Sequence, residues 1–202
     1  MTRARTAVLI SGRGSNLKAL IDACRDPKFP AEISLVISNI AGAGGLDYAR
    51  TANIPAKIVS HRGHASREDF DRALDAELEE ANIDIVCLAG FMRILSDWFV
   101  RRWEGRVINI HPSLLPAFKG LNVHQQALDA GVRIAGCTVH FVVPELDSGP
   151  IIAQASVPVL PGDDADALAA RILIEEHKLY PAALKLLAAG KVKLAGDKAV
   201  FA

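Results

Sequence analysis

Ala7-Val8-Leu9-Ile10-Ser11-Gly12-Arg13-Gly14-Ser15-Asn16-Leu17 passes from a continuous apolar run through a glycine turn into a helical pattern. The run lacks the alternation of a half-exposed strand. It predicts a strand, Thr6–Ser11, buried on both faces of a parallel sheet. Beyond the turn, Leu17, Leu20 and Ile21 share one face of a helix expected over Asn16–Cys24. Ile33–Ser38 and Ile83–Leu88 repeat the buried-strand pattern, and Ala56–Ser60 is a weaker copy. Between them lie a short helical candidate, Gly45–Ala52, and a strong one, Arg67–Ala81, with Phe70, Leu74 and Leu78 four apart. Strand and helix in alternation define an α/β fold, a Rossmann-like open twisted sheet that is mostly parallel in its N-terminal half.

The second half changes character. Val107 and Ile108 lead into Asn109-Ile110-His111, and Pro112 and Pro116 punctuate the loop that follows. After a short helix around Val123–Ala130 come Ala135–Val143 and Ile151–Val159, near enough in sequence for a hairpin and thus an antiparallel C-terminal portion. Asp163 or Asp164 is expected to cap a long helix from Ala165 to about Ala189, which Gly190 ends. Lys191–Ala202 is expected to add one short strand. With no repeat, linker or low-complexity tract, one domain over 1–202 is the simplest account, with the phosphate-binding half at about 1–105 and the catalytic half at about 106–202.

The composition narrows the function classes. The chain has 202 residues, half of them apolar, with 23 Lys plus Arg against 23 Asp plus Glu, which gives no support to a nucleic-acid footprint or a membrane surface. Cys24, Cys87 and Cys137 stand far apart, without CxxC or paired His/Cys spacing, so no metal is expected. There is no secretory pattern and no apolar run long enough to span a bilayer. A reduced, cytoplasmic enzyme is the default expectation.

The Ser11–Asn16 turn leaves backbone N–H groups free at a helix start, where the field favours an anion. Ser15 or Asn16 can cap that helix or donate to a phosphate oxygen; a purely structural turn is the alternative. Leu17 stands where the third glycine of a dinucleotide loop belongs, Ser38-Asn39 replaces the acidic end of strand two, and no Gly-Lys-Ser/Thr follows, so neither NAD nor a Walker loop fits. A phosphate monoester does. Asn109 and His111, two apart at a strand end, are predicted to face one space, an amide to donate to a developing oxyanion and an imidazole to move a proton; a capped strand end with a hydrogen-bonded histidine is the alternative. Asp147, in the turn Glu145-Leu146-Asp147-Ser148-Gly149-Pro150, is either a turn residue or a carboxylate that orients His111. Leu88–Leu95 follows a strand at its carboxyl end, where ligands bind in open α/β sheets; a short core-packing helix is the other reading. By composition alone, Glu175, Glu176 and His177 read as a solvated helix face.

Taken in order, Gly12–Leu17, Leu88–Leu95, Asn109–Pro116, and Val139-His140-Phe141 through Glu145–Pro150 resemble the folate-dependent glycinamide ribonucleotide formyltransferases over nearly the whole chain. The resemblance implies the formyltransferase fold and transfer of a formyl group from 10-formyltetrahydrofolate, a cosubstrate, to glycinamide ribonucleotide in purine synthesis. It implies that Asn109, His111 and Asp147 form the catalytic set. Gly14, Ser15 and Asn16 would hold the substrate phosphate, and Glu176 its ribose. Arg67, Met92, Arg93, Ile94, Leu95, Asn109, Val143, Pro144, Glu145, Leu146 and Asp147 would hold the folate, in a monomer or homodimer. Arg13 occupies a variable position of the glycine loop, so the resemblance assigns it no role. Formyltetrahydrofolate hydrolases and methionyl-tRNA formyltransferases share Asn-x-His and the distant Asp. The former add an N-terminal regulatory domain and the latter a C-terminal RNA-binding one, and neither is expected in a chain whose first strand starts near Thr6. A nucleotide-binding module without catalysis would not need Asn109, His111 and Asp147 to converge.

Overall fold

The computed structural model describes residues 2–202. Its first half alternates β1 (Ala4–Ile10), α1 (Ser15–Cys24), β2 (Ala31–Ser38), α2 (Gly45–Thr51), β3 (Ala56–Ile58), α3 (Arg67–Glu80), β4 (Ile85–Leu88) and α4 (Asp97–Arg102). The second half adds β5 (Val107–His111), α5 (Val123–Asp129), β6 (Ile134–Phe141), β7 (Ile151–Pro158), α6 (Ala165–Ala188), β8 (Val192–Ala195) and β9 (Lys198–Phe201). Seven strands form one sheet in the order β3-β2-β1-β4-β5-β6-β7. The first five are parallel, and β6 and β7 are antiparallel.

The apolar runs are strands because both faces of the sheet are covered. Val8 and Ile10 face α1 and α6, whereas Ala7 and Leu9 pack with Phe70, Leu74 and Leu78 of α3 and with Phe99 and Trp103 of the α4 region. These side chains are almost wholly withdrawn from water, the dominant favourable contribution to folding. β3, the weakest expected strand, is the exposed edge and only three residues long.

One expectation needs correction, and two open alternatives are narrowed. The turn after β4 does not become a helix; α4 begins later, at Asp97, where Ser96 caps it through Phe99 N–H. The tail forms a two-stranded hairpin, β8–β9, rather than one strand, turning at Gly196, whose φ of +59° suits a residue without Cβ. Of the two capping candidates for α6, Asp164 accepts from Ala167 N–H at 2.8 Å. Asp163 instead pairs with Arg171 at 2.7 Å.

Candidate active site

β5 places Asn109 and His111 two residues apart, so their side chains leave the same face. The antiparallel register sets His140 directly opposite Asn109. His140 Nδ1 donates to the Phe141 carbonyl at 2.8 Å, which leaves Nε2 to accept from Asn109 Nδ2 at 3.2 Å. Burial pushes His140 below the usual histidine range, partly offset by the Phe141 carbonyl and by Asp147, so the ring is neutral. One N–H of the Asn109 amide is engaged and the other is left for a ligand.

Because β6 runs antiparallel, its end at Phe141 lies beside Ile108, not beside His111. The 144–150 loop must therefore double back over the sheet to reach the end of β5. Gly149 makes this possible, since a Cβ there would strike the Phe141 carbonyl oxygen. Asp147 adopts φ +48°, a left-handed conformation in which non-glycine residues are uncommon. Its Oδ2 lies 3.5 Å from His111 Nδ1, and its Oδ1 lies 3.9 Å from His140 Nε2. Gly120 N–H donates to Oδ2 at 2.9 Å, and His111 Nε2 faces the Phe118 carbonyl at 2.9 Å. Both nitrogens of His111 thus face oxygen acceptors. The Pro112–Pro116 loop is pinned beneath by Thr138, whose hydroxyl donates to Ser113 O and accepts from Leu115 N–H.

The glycine loop ends in Gly14, the N-cap of α1, at φ +76° and with no side chain covering the first N–H groups. A capping role for Ser15 or Asn16 is therefore excluded. Asn16 is buried and donates from Nδ2 to Glu176 Oε2 at 2.6 Å, while its Oδ1 is buried without a partner. Glu176 is only 7 % exposed, which overturns the solvated-face reading. Burial raises its pKa, with Asn16 and the nearby His111 pulling the other way. One turn later Tyr180 joins α6 to the sheet, its hydroxyl within 2.9 Å of Leu88 O and 3.0 Å of Ile108 O. Ser15, Lys18, Tyr48 and His177 line a groove of about 580 Å³ alongside.

Of the expected folate residues, Met92, Arg93 and Ile94 are exposed after β4, and Leu95 is buried in the core. Arg67 opens α3 and, with Arg93, lies within electrostatic reach of Asp71. Pro144, Glu145 and Leu146 are exposed on the doubled-back loop, and Val143 half-buried. Asp71 was missed by sequence reading. It is fully buried and accepts from Ser96 N–H, fixing the end of the Met92–Ser96 segment. His140 is a further residue of the site that the local pattern does not assign; a histidine inside the apolar strand Val139-His140-Phe141 is its signal in the sequence. Among the described residues no group of three His, Cys, Asp or Glu is arranged to hold a metal ion.

The Asn109 amide pairs with His140, and Asp147 lies between His140 and His111, at a site whose neighbouring α1 start has no side-chain cap. The profile described as formyl transferase matches residues 4–184, and the chain belongs to that family. It is 49 % identical over 187 residues to the phosphoribosylglycinamide formyltransferase of Escherichia coli K12, covering 93 % of this chain and 88 % of that one. The crystal structure of glycinamide ribonucleotide transformylase 1 from Symbiobacterium toebii superposes with a TM-score of 0.95 at 47 % identity, covering 98 % of this chain and 94 % of the other. The human trifunctional purine biosynthetic protein adenosine-3 is 56 % identical over 192 residues, 95 % of this chain. The chain spans 19 % of that protein's length.

Proposed function

We propose that this chain transfers the formyl group of 10-formyltetrahydrofolate to the amine of glycinamide ribonucleotide, yielding formylglycinamide ribonucleotide and tetrahydrofolate in purine synthesis. The observation that carries the reading is the contiguous set Asn109, His140, Asp147 and His111 beside the open start of α1. The substrate amine attacks the formyl carbon, the bond from that carbon to the folate nitrogen breaks, and the amine proton passes to that nitrogen. Asn109 and an imidazole N–H of His111 donate to the formyl oxygen as charge develops on it. Asp147 orients His111 and assists the proton transfer. Gly14, Ser15 and Asn16 hold the phosphate, and Glu176 the ribose. Arg67, Met92–Leu95 and Val143–Asp147 hold the folate, the last two as one pterin pocket.

The halves at about 1–105 and 106–202 work as one domain, in the cytoplasm, on small molecules and without nucleic acid, membrane or metal, as a monomer or homodimer. No helix among the described residues is long and apolar enough to cross a membrane. The test is a transfer assay with 10-formyltetrahydrofolate and three competing acceptors: glycinamide ribonucleotide, methionyl-tRNA and water. Product is expected on the ribonucleotide alone. Folate turnover that is the same with and without ribonucleotide would overturn the reading in favour of a hydrolase.

A further inference from the structure

At the carboxyl edge of the sheet a single file of hydrogen bonds crosses four neighbouring strands. Met92 N–H, after β4, donates to Ser11 Oγ at 2.8 Å. The Ser11 hydroxyl, after β1, donates to Asn39 Oδ1 at 2.6 Å. Asn39, after β2, presents Nδ2 to Nδ1 of His61, after β3, at 3.1 Å. With Oδ1 taken by the hydroxyl, the amide can only donate to His61, whose Nδ1 therefore accepts. The file follows the strand order β4-β1-β2-β3.

Asn39 is 4 % exposed, a buried amide whose two groups both serve this file. Such groups are costly to bury unless paired. His61 is braced edge-on against Phe70, which stacks on Phe91, the neighbour of Met92. Ser11 also takes part through its backbone, with its N–H 3.2 Å from Gly90 O. The loop that opens at Ser11 and the segment that opens at Met92 are thereby fastened at one hydroxyl.

We infer that Asn39, backed by His61, is a positioning residue: it holds the Ser11 hydroxyl so that the Met92 amide, and with it the pterin-holding segment, keeps a fixed offset from the phosphate loop. The inference rests on the proposed formyl transfer for its kinetic consequence. Its structural claim, that Met92 N–H is held through Asn39, does not. Two substrates held by separate loops react only when those loops keep their spacing, so the effect belongs in turnover more than in the affinity for either substrate alone.

The test compares Asn39→Leu, Ser11→Ala and Asn39→Asp in the full chain. Leucine matches asparagine in size but carries no hydrogen bond. Aspartate keeps the acceptor for Ser11 and accepts from His61 in its other tautomer. In Asn39→Leu and Ser11→Ala, kcat should fall on the order of 10- to 100-fold, as a misplacement of about 1 Å can cost ~10². Affinities for the ribonucleotide alone and for a folate analogue alone should stay within about threefold, and Asn39→Asp should recover most turnover. Hydrogen exchange at the Met92 amide should be slow in the wild type and fast in Ser11→Ala. Unchanged kcat in Ser11→Ala, or failure of Asn39→Asp to recover turnover, would overturn the inference; Ser11→Ala decides if Asn39→Leu does not fold. If the wild type transfers no formyl group, the functional reading fails on its own, and unchanged Met92 exchange would separately overturn the positioning claim.

Discussion

The two ends of the site are made of different material. The end proposed to hold the phosphate is backbone: a glycine turn and the uncovered N–H groups of α1, all contiguous in sequence. The chemical end is side chain: Asn109 and His111 from β5, His140 from β6 and Asp147 from a loop doubled back over the sheet. Backbone donors tolerate changes of neighbouring side chains but not a Cβ in the wrong place. Side-chain donors and acceptors tolerate no loss of a polar atom. The contrast predicts opposite responses to mutation at the two ends.

The largest effects belong to the chemical end. Asn109→Ala should lower kcat by about 10²–10³-fold, as loss of an oxyanion donor does, and His111→Ala or Asp147→Asn by about 10²–10⁴-fold. The Asn109→Ala/His111→Ala pair should lose less than the product of the single losses, because both groups serve one transition state. Steady-state kinetics with folate-analogue binding as a folding control measure this. Multiplicative losses would show that the cluster does not act as a unit.

At the backbone end, Gly14→Val should raise the KM for the ribonucleotide far more than that for the folate. The residue sits at φ +76°, and a Cβ would press on the Gly45 backbone. Strain of this kind costs about 1–3 kcal/mol, so Tm should drop by several degrees as well. Equal rises in both KM values would make the loop a structural turn only.

The same contrast governs what could be read from the chain. The buried runs at Ala7–Ser11 and Ile83–Leu88 declare a parallel sheet, because strands covered on both faces need no alternation, and the glycine turn between β1 and α1 is local. The positions of Asn109 and His111 at a strand end were equally local. His140 was not assigned a role, since its meaning depends on lying opposite Asn109 across an antiparallel register. Glu176 looked like a solvated face beside Glu175 and His177. Its burial follows from α6 packing over α1, with Tyr180 anchored on Leu88 and Ile108, a long-range arrangement absent from the local pattern. α4 and the β8–β9 hairpin were missed because short elements carry too few periodic positions to stand out.

His140 offers an intermediate test at the chemical end. Burial holds its pKa below the ordinary value of 6.5, so the unfolded ring takes a proton before the native one does. Stability contributed by the neutral ring is therefore present above the unfolded value and declines as pH falls from there towards the native pKa. His140→Gln keeps an acceptor for Asn109 and removes this titration. The fall in urea midpoint between about pH 7.5 and about pH 5.5 should be smaller in the variant than in the wild type. An identical fall would place the acid sensitivity elsewhere, for example at His124, which burial and His111 also push down.

Glu176 joins the two ends and gives the smallest and most diagnostic effect. Burial lifts its pKa above the ordinary 4.5, although the Asn16 amide and His111 favour the charge. As pH rises, the unfolded carboxyl ionises first, so between the unfolded and native values the native state binds more protons and stability falls with rising pH. Above the native value the full cost of the buried charge is present. Glu176→Gln keeps an oxygen for Asn16 Nδ2 and cannot ionise. The variant should match the wild type near the acid end of this window and become progressively more stable than it towards neutral pH. The gain should appear as a Tm difference that widens towards neutral pH. The same change should raise the ribonucleotide KM while leaving the folate KM alone, because a carboxylate accepts from two ribose hydroxyls where an amide offers one acceptor and a competing donor. Urea titrations across pH and a KM for each substrate read the two effects separately. A variant less stable at neutral pH, with no change in either KM, would mean that Glu176 serves packing and that the ribose is held by other groups.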